Sequence, residues 1–169
     1  MTRFYDLPFI VVLMGIGALS MLIPGGYALA VDDHATSRAF FYASLFFVII
    51  VTMLGLATRD MRIRRQGRSH LISILATFTV LPVMLAVPFA EAVPDTRFLN
   101  AYFEMVSSLT TTGMTLFPPE RLPDAVHLWR AQVAWMGGFF IWVTAIAVLA
   151  PLTLGGFEMS AAGEIGQGA

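Results

Sequence analysis

Four long stretches of the chain contain no Asp, Glu, Lys or Arg, and they constrain the fold more than any other feature. These stretches are Leu7 to Val31, Ala39 to Thr58, Ser69 to Ala90 and Ala131 to Phe157. A helix needs about 20 consecutive apolar residues to cross a bilayer. Only 12% of the residues are charged, against about a quarter in soluble domains. We therefore predict an all-α membrane protein with four transmembrane helices. They span about Pro8 to Ala30, Arg38 to Thr58, Ser69 to Ala90 and Ala125 to Pro151.

A short polar interruption separates the third predicted helix from the fourth. A half helix is predicted from about Thr96 to Leu109, with Asp95 as its N-cap, and a run of three threonines and a glycine follows it. Threonine is β-branched and glycine breaks helices, so the run predicts extended backbone. At membrane depth such backbone survives only inside protein or beside a watery cavity.

Backbone carbonyls that face a watery cavity form cation selectivity filters. The segment is therefore predicted to be a re-entrant pore half-helix followed by a filter loop. The predicted ion-binding residues of this selectivity filter are Thr110, Thr111, Thr112 and Gly113. The simpler alternative is that these four residues only cap a helix and stop it with glycine.

The distribution of arginine predicts the topology. All ten basic residues are arginine, and five of them lie between Arg59 and Arg68. Basic loops stay in the cytoplasm, so both termini are predicted to be cytoplasmic and the half helix to enter from outside. Three parts follow: a two-helix hairpin with its Arg-rich loop (1–68), a helix–pore loop–helix unit (69–157) and a flexible tail (158–169). An alternative is a signal peptide that is cleaved after Ala28-Leu29-Ala30.

Several functions find no support in the sequence. The chain has no cysteine, which excludes disulfides and thiolate metal sites. No nucleophile–base pair and no glycine-rich phosphate loop is visible, so we expect no catalytic site and no enzyme. The three histidines are scattered, so no metal site is expected beyond the ion filter. We expect the lipid bilayer, and no nucleic acid, as a partner.

Three features flank the predicted filter. Glu104 lies within the half helix, where a carboxylate needs a partner, and we expect that partner to be Arg130. Arg130 and Trp129 are expected to anchor the outer end of the fourth helix at the membrane interface. Gly137 and Gly138 favour close helix packing over a hinge.

These residues resemble a known family. Phe103 to Gly113 is similar to the first pore loop of the Trk/Ktr/HKT potassium transporters, in their bacterial TrkH-type branch. His127-Leu128-Trp129-Arg130, followed by Trp135-Met136-Gly137-Gly138, is similar to the start of that family's next helix. The chain departs from the family pattern at Ala134, where glutamine is usual, and at Phe140, where glycine is frequent.

The resemblance implies potassium uptake across the cytoplasmic (inner) membrane, with the potassium ion as transported substrate and no organic cofactor. It also implies a filter built by four pore-loop units in one polypeptide, a homodimer, and a cytoplasmic nucleotide-binding regulatory subunit. This chain carries only the first unit, so its immediate partners would be the remaining pore-loop units or other copies of itself.

Two further functions stay open from the sequence. Several copies of the chain could form a homo-oligomeric cation channel, in which each copy supplies one pore loop. It could instead be a non-conducting, truncated membrane interaction protein. The choice between potassium and sodium as the conducted ion is not determined by these residues.

Overall fold

The computed structural model of the protein describes residues 9–58 and 66–154, and these residues form helices and connecting turns without a β-strand. The helices are α1 (Phe9–Ser20), α2 (Leu22–Ala30), α3 (His34–Ala57), α4 (Gln66–Ala92), α5 (Phe98–Leu109) and α6 (Asp124–Leu154), with one 3₁₀ turn at Pro119–Arg121. The predicted all-α class is confirmed over these ranges. Most of the Arg-rich loop (59–65) and the whole tail (158–169) lie outside the described residues.

Within residues 9–58 and 66–154, two segments are long and apolar enough to cross a membrane, judged by length and composition. They are Ile10–Ala30, which joins α1 to α2, and His34–Ala57, which is α3. A shorter apolar segment, Thr77–Ala92, forms most of α4. At about 1.5 Å per residue, the 31 residues of α6 also exceed the thickness of a bilayer core of about 30 Å.

The predicted N-cap of the half helix is wrong, and an N-cap that was not predicted is found at α3. Asp95 was expected to cap α5, but α5 begins after Arg97, and Asp95 instead lies in a left-handed turn with a φ of 55°. The side chain of Asp33 accepts a hydrogen bond from the amide of Thr36 at 3.1 Å, which starts α3 at His34, four residues before the predicted start. Hydrogen bonding by Thr36 also lowers the pKa of Asp33 below its ordinary value.

The buried core lies between α4 and the helices that pack around it. α5 packs against both α4 and α6, while α3 contacts α1, α2 and α4. The largest side chains that are fully buried here include Phe40, Phe89 and Trp129. The ring of Phe40 meets that of Trp129 edge to face, with 5.7 Å between centroids. This packing holds the short helix α5 between two long ones, which fixes the position of its C-terminal end.

A proline in α2 explains how the first two helices attach to α6. Pro24 has no N–H, so it cannot donate to the carbonyl of Ser20, four residues before it. The side chain of Gln132 on α6 donates to that carbonyl at 3.0 Å. A neighbouring helix therefore satisfies a backbone acceptor that the proline leaves without its helical donor, which is how prolines are accommodated in membrane helices.

Side chains of α5 and α6 also bind the backbone of α4, which contains Pro82 and Pro88. The indole N–H of Trp129 donates to the carbonyl of Leu85 at 3.1 Å. The hydroxyl of Tyr102 donates to the carbonyl of Thr79 at 3.2 Å. Each acceptor lies three residues before a proline, in the turn where a proline disturbs the helix. These bonds tie α5 and α6 to fixed points along α4.

Candidate functional site

The C-terminal end of α5 is closed by a pair of reversed hydrogen bonds. The amide of Thr111 donates to the carbonyl of Ser108 at 3.0 Å, and the amide of Thr112 donates to the carbonyl of Ser107 at 2.9 Å. This pair is the Schellman motif, which satisfies carbonyls of the last helical turn. The helix ends at Leu109, the residue that the sequence predicts.

Two residues after this end have positive φ angles. Thr111, at the position where a Schellman motif usually has glycine, has a φ of 57°. A β-branched residue is rare in this region and is held there only by its surroundings. Gly113 has a φ of 75°, and a Cβ added to it would meet no atom within 4 Å. The backbone angle at position 113 therefore favours glycine. The described residues around it would leave room for a side chain.

The backbone after α5 turns its carbonyls outward. The amides of Thr111 and Thr112 bond back to α5, and that of Gly113 reaches the carbonyl of Ser107 at 3.4 Å. In a trans peptide the carbonyl of one residue points opposite to the N–H of the next. The carbonyls of Thr110, Thr111 and Thr112 therefore point away from α5. Within the described part of the chain, no group donates a hydrogen bond to them, so they are available as ligands.

The threonine hydroxyls form a directed chain. The hydroxyl of Thr110 donates to the carbonyl of Val106 at 2.8 Å, and its oxygen lies 2.8 Å from the hydroxyl oxygen of Thr112. Because the proton of Thr110 points toward Val106, Thr112 is the donor in the second contact. Both protons then point toward the helix, and the Thr112 oxygen keeps lone pairs free. Together with the negative end of the α5 dipole, these acceptors favour a cation.

The carboxylate of Glu104 does not join this group of acceptors. It is fully buried, and one of its oxygens lies 3.0 Å from the Nε of Arg130. Neither of these two atoms has a hydrogen-bond partner, so the contact is an ion pair whose N–H is poorly aimed. The expected pairing of Glu104 with Arg130 is present, and the charge of Glu104 is balanced away from the filter residues.

The other oxygen of Glu104 holds the return loop. It accepts a hydrogen bond from the amide of Leu116 at 2.6 Å and one from the hydroxyl of Thr115 at 2.9 Å. A charged acceptor makes short, strong hydrogen bonds. One carboxylate therefore connects α5, the loop that follows the filter residues, and α6 through Arg130.

A glycine of α6 supports the last residue of α5. A Cβ added to Gly137 would overlap the carbonyl oxygen of Leu109 and would lie 2.7 Å from the carbonyl carbon of that residue. Only glycine permits this approach of two backbones. Gly138 faces Thr111 at an ordinary distance of 3.7 Å. The expected close packing at Gly137 is found.

The expected role of Trp129 is wrong. This residue was predicted to anchor α6 at the membrane interface, but its side chain is fully buried and bonds to the backbone of α4. The buried position follows from the acceptor: the Leu85 carbonyl and the ring of Phe40 offer the indole both a hydrogen bond and a packing surface.

An open cleft of about 330 Å³ lies beside the filter residues. Its lining residues are Ser108, Thr111, Gly113, His127, Arg130, Ala131 and Ala134. His127, one of these lining residues, contacts the carbonyl of Pro119 in the 3₁₀ turn through Nε2 at 3.0 Å. The cleft connects the filter residues with α6, on the side where Arg130 balances Glu104.

Sequence reasoning missed three residues that shape this region. The carbonyl of Ser107 accepts two amides of the filter segment, Thr115 binds Glu104, and Gln132 binds the carbonyl of Ser20 at the end of α1. The only sequence signal for Ser107 is its place three residues before the threonine run. No local signal exists for Gln132, because its partner is 112 residues away along the chain.

The helical fold, with two described segments long and apolar enough to cross a membrane, is consistent with a helical membrane protein. A family model described as TrkH, a cation transport protein, matches residues 36–163. The chain therefore belongs to the TrkH family.

Individual relatives agree with this family. The chain is 34% identical over 142 residues to the Trk system potassium uptake protein TrkH of Escherichia coli strain K12, a match that covers 83% of this chain and 29% of the relative. It is 30% identical over 151 residues to the TrkH protein of Vibrio parahaemolyticus (87% and 30% covered). It is 40% identical over 88 residues to the TrkH protein of Halomonas elongata (52% and 17% covered). The chain thus spans less than a third of the length of these relatives.

Proposed function

We propose that this chain supplies the first pore-loop unit of a Trk-type transporter that takes up potassium across the cytoplasmic membrane. In this proposal α5 is the pore helix and the segment Thr110–Gly113 is one of four filter strands. The observation that carries the proposal is the set of three adjacent outward carbonyls after α5. The potassium uptake named for the relatives agrees with a site made only of oxygen acceptors and a helix C-terminus.

The proposed topology has four transmembrane segments, with α1 and α2 forming the first, and both termini in the cytoplasm. The supporting observations are the two long apolar segments, the length of α6, and the five arginines between the second and third segments. The front hairpin (1–68) and the pore unit (69–157) are proposed as separate parts, and Gln132 and Trp129 connect the helices within and between them.

The proposed partners are the three remaining pore-loop units, since four filter strands are needed to surround an ion. A broad exposed face of α6 suits packing against such units: Trp135 is 72% exposed and Trp142 is 73% exposed. A homodimer of the full transporter and a cytoplasmic nucleotide-binding regulatory subunit complete the proposed assembly.

Substitution of the filter glycine tests the proposal. We expect Gly113→Ser, in the full transporter or in a chimera that places residues 36–163 in the E. coli relative, to reduce discrimination of potassium over sodium. Serine is strained at a φ of 75°, and a strain of 1–2 kcal/mol would shift the carbonyls enough for a loss of about tenfold. Growth of uptake-deficient cells and ion flux measure the effect.

Gly26→Ser is the matched control. Gly26 also has open space around its Cα, but it lies in α2 without a positive φ. This control is expected to keep normal selectivity. Normal discrimination by the Gly113→Ser protein, at normal abundance, would reject the filter role of this segment.

A further inference from the structure

The hydroxyl of Ser107 makes an unusual contact across the filter segment. In a helix a serine hydroxyl commonly bonds to a carbonyl one turn back. The hydroxyl of Ser107 instead donates forward, to the carbonyl of Met114, at 2.7 Å. Ser107 lies in the last turn of α5 and is 4% exposed, so the bond is made from a packed position.

Ser107 forms hydrogen bonds with this segment through both its backbone carbonyl and its side-chain hydroxyl. Its carbonyl accepts the amides of Thr112 and Gly113 (2.9 and 3.4 Å), while its hydroxyl binds the carbonyl of Met114. The first two contacts turn the carbonyls of Thr111 and Thr112 outward, since each points opposite to the amide that follows it. The third contact turns the carbonyl of Met114 inward. The row of outward carbonyls therefore stops before Met114.

We propose that Ser107 is a positioning residue that sets the direction of the carbonyls in the segment Thr110–Gly113 and so tunes which cation this segment accepts. The proposal rests on the proposed filter function of that segment. The side chain is not placed as an ion ligand, because the residue is buried within the end of α5.

Ser108 provides a matched comparison. It is the adjacent serine, it is also buried at 6% exposure, and its carbonyl accepts the amide of Thr111. Its hydroxyl makes no hydrogen bond with the part of the chain that the structure describes. Replacement of Ser108 by alanine therefore removes an equal number of atoms without freeing the Met114 carbonyl.

The experiment compares Ser107→Ala, Ser108→Ala and Gly113→Ser in the full transporter or in the chimera that carries residues 36–163. The ratio of potassium to sodium uptake and the order of potassium, rubidium and caesium are measured at equal protein abundance. We expect Ser107→Ala to lower the potassium-to-sodium ratio by about two- to tenfold, the equivalent of one lost hydrogen bond. Ser108→Ala removes the hydroxyl of a residue that lines the cleft but does not free the Met114 carbonyl, so it is expected to lower the ratio less.

The possible outcomes distinguish the role of Ser107 from the filter function on which it rests. An unchanged ratio for Ser107→Ala, together with a reduced ratio for Gly113→Ser, would overturn the role of Ser107 and leave the filter function standing. An unchanged ratio for both would overturn the filter function and the role of Ser107 with it. A reduced ratio for Ser108→Ala equal to that of Ser107→Ala would show a general packing effect and would also overturn the proposal.

A second variant covers the case in which Ser107→Ala does not reach the membrane. Ser107→Cys keeps the shape of the side chain, with a larger sulfur atom, and a weak donor. Its ratio is expected to lie between those of the parent and of Gly113→Ser. A ratio equal to that of the parent, in an assay where Gly113→Ser is reduced, would count against the hydroxyl bond as the determinant.

Discussion

Glu104 shows how one buried charge can hold a helix and the loop that follows it together. Its carboxylate is fully buried, with Arg130 at one oxygen and the return loop at the other. Removing only one member of a buried ion pair leaves an uncompensated charge, which costs far more than the net worth of the pair. The two partners are unequal, because the side chain of Arg130 is 19% exposed and that of Glu104 is not exposed.

We predict that Arg130→Met destabilises the protein by about 3–5 kcal/mol, because Glu104 would stay buried without a counter-charge. Glu104→Gln is expected to destabilise the protein less. The glutamine oxygen still accepts a hydrogen bond from the amide of Leu116, and the side chain of Arg130 reaches solvent. The double variant Glu104→Gln with Arg130→Met should recover most of the loss. The free energy of unfolding in detergent, measured as a double-mutant cycle, checks this.

Additive effects in that cycle would contradict the assigned ion pair. A stability of Arg130→Met equal to that of the parent would contradict the burial of a charged Glu104.

At the scale of elements, α6 acts as the support on which α5 rests. The backbone of Gly137 contacts the last residue of α5, and the filter segment begins immediately after that residue. Any displacement of Leu109 is therefore transmitted directly to Thr110 and to the carbonyls beyond it. Gly138, one position later, has ordinary contacts. Only Gly137 of the two glycines is therefore needed for the close approach of α6 to α5.

We predict that Gly137→Ala lowers stability by about 1–3 kcal/mol, the usual cost of forcing an extra methyl group into a packed site. Potassium uptake should fall as well, because the end of α5 must move. Gly138→Ala is the control: both variants gain the same helix propensity, about 1 kcal/mol, so their difference isolates the overlap with Leu109.

The measurements are thermal unfolding in detergent and uptake in cells. Equal stability of the Gly137→Ala and Gly138→Ala proteins would contradict the backbone contact between α6 and α5.

At the scale of the whole molecule, the front helices are joined to the pore unit by hydrogen bonds between distant parts of the chain. Gln132 binds the carbonyl of Ser20 at the end of α1, and Trp129 packs on Phe40 of α3. The filter segment, in contrast, has exposed acceptors and an open cleft beside it. The described residues thus form a supported half helix, and in the proposed function they present one of the strands that surround the ion.

We predict that the 169-residue chain alone does not conduct potassium. A single filter strand cannot replace the hydration shell of an ion, which requires acceptors from several sides. The measurement is potassium flux in liposomes that contain the purified chain, with a full-length TrkH relative as the positive control. Flux above that of protein-free liposomes, with a tetramer after cross-linking, would contradict the prediction and favour a homo-oligomeric channel.

The sequence by itself determined the helical class and some helix ends, but not the division of the first predicted helix into α1 and α2. Long uncharged stretches leave few alternatives to helices in a membrane protein, and the end of α5 at Leu109 follows from the threonine run, a local signal. Capping was less predictable: Asp33 and Asp95 are the same residue type, yet only Asp33 caps a helix. The choice between them depends on backbone angles that the surrounding turns impose.

Only the tertiary structure decided how the filter segment is held. The overlap site at Gly137, the ion pair of Glu104 and Arg130, and the burial of Trp129 each join residues of different helices. The direction of the carbonyls depends on Ser107, whose forward bond to Met114 exists because the chain reverses after α5. Local residue preferences carry no information on such contacts, since they arise from packing between elements that are distant in the sequence.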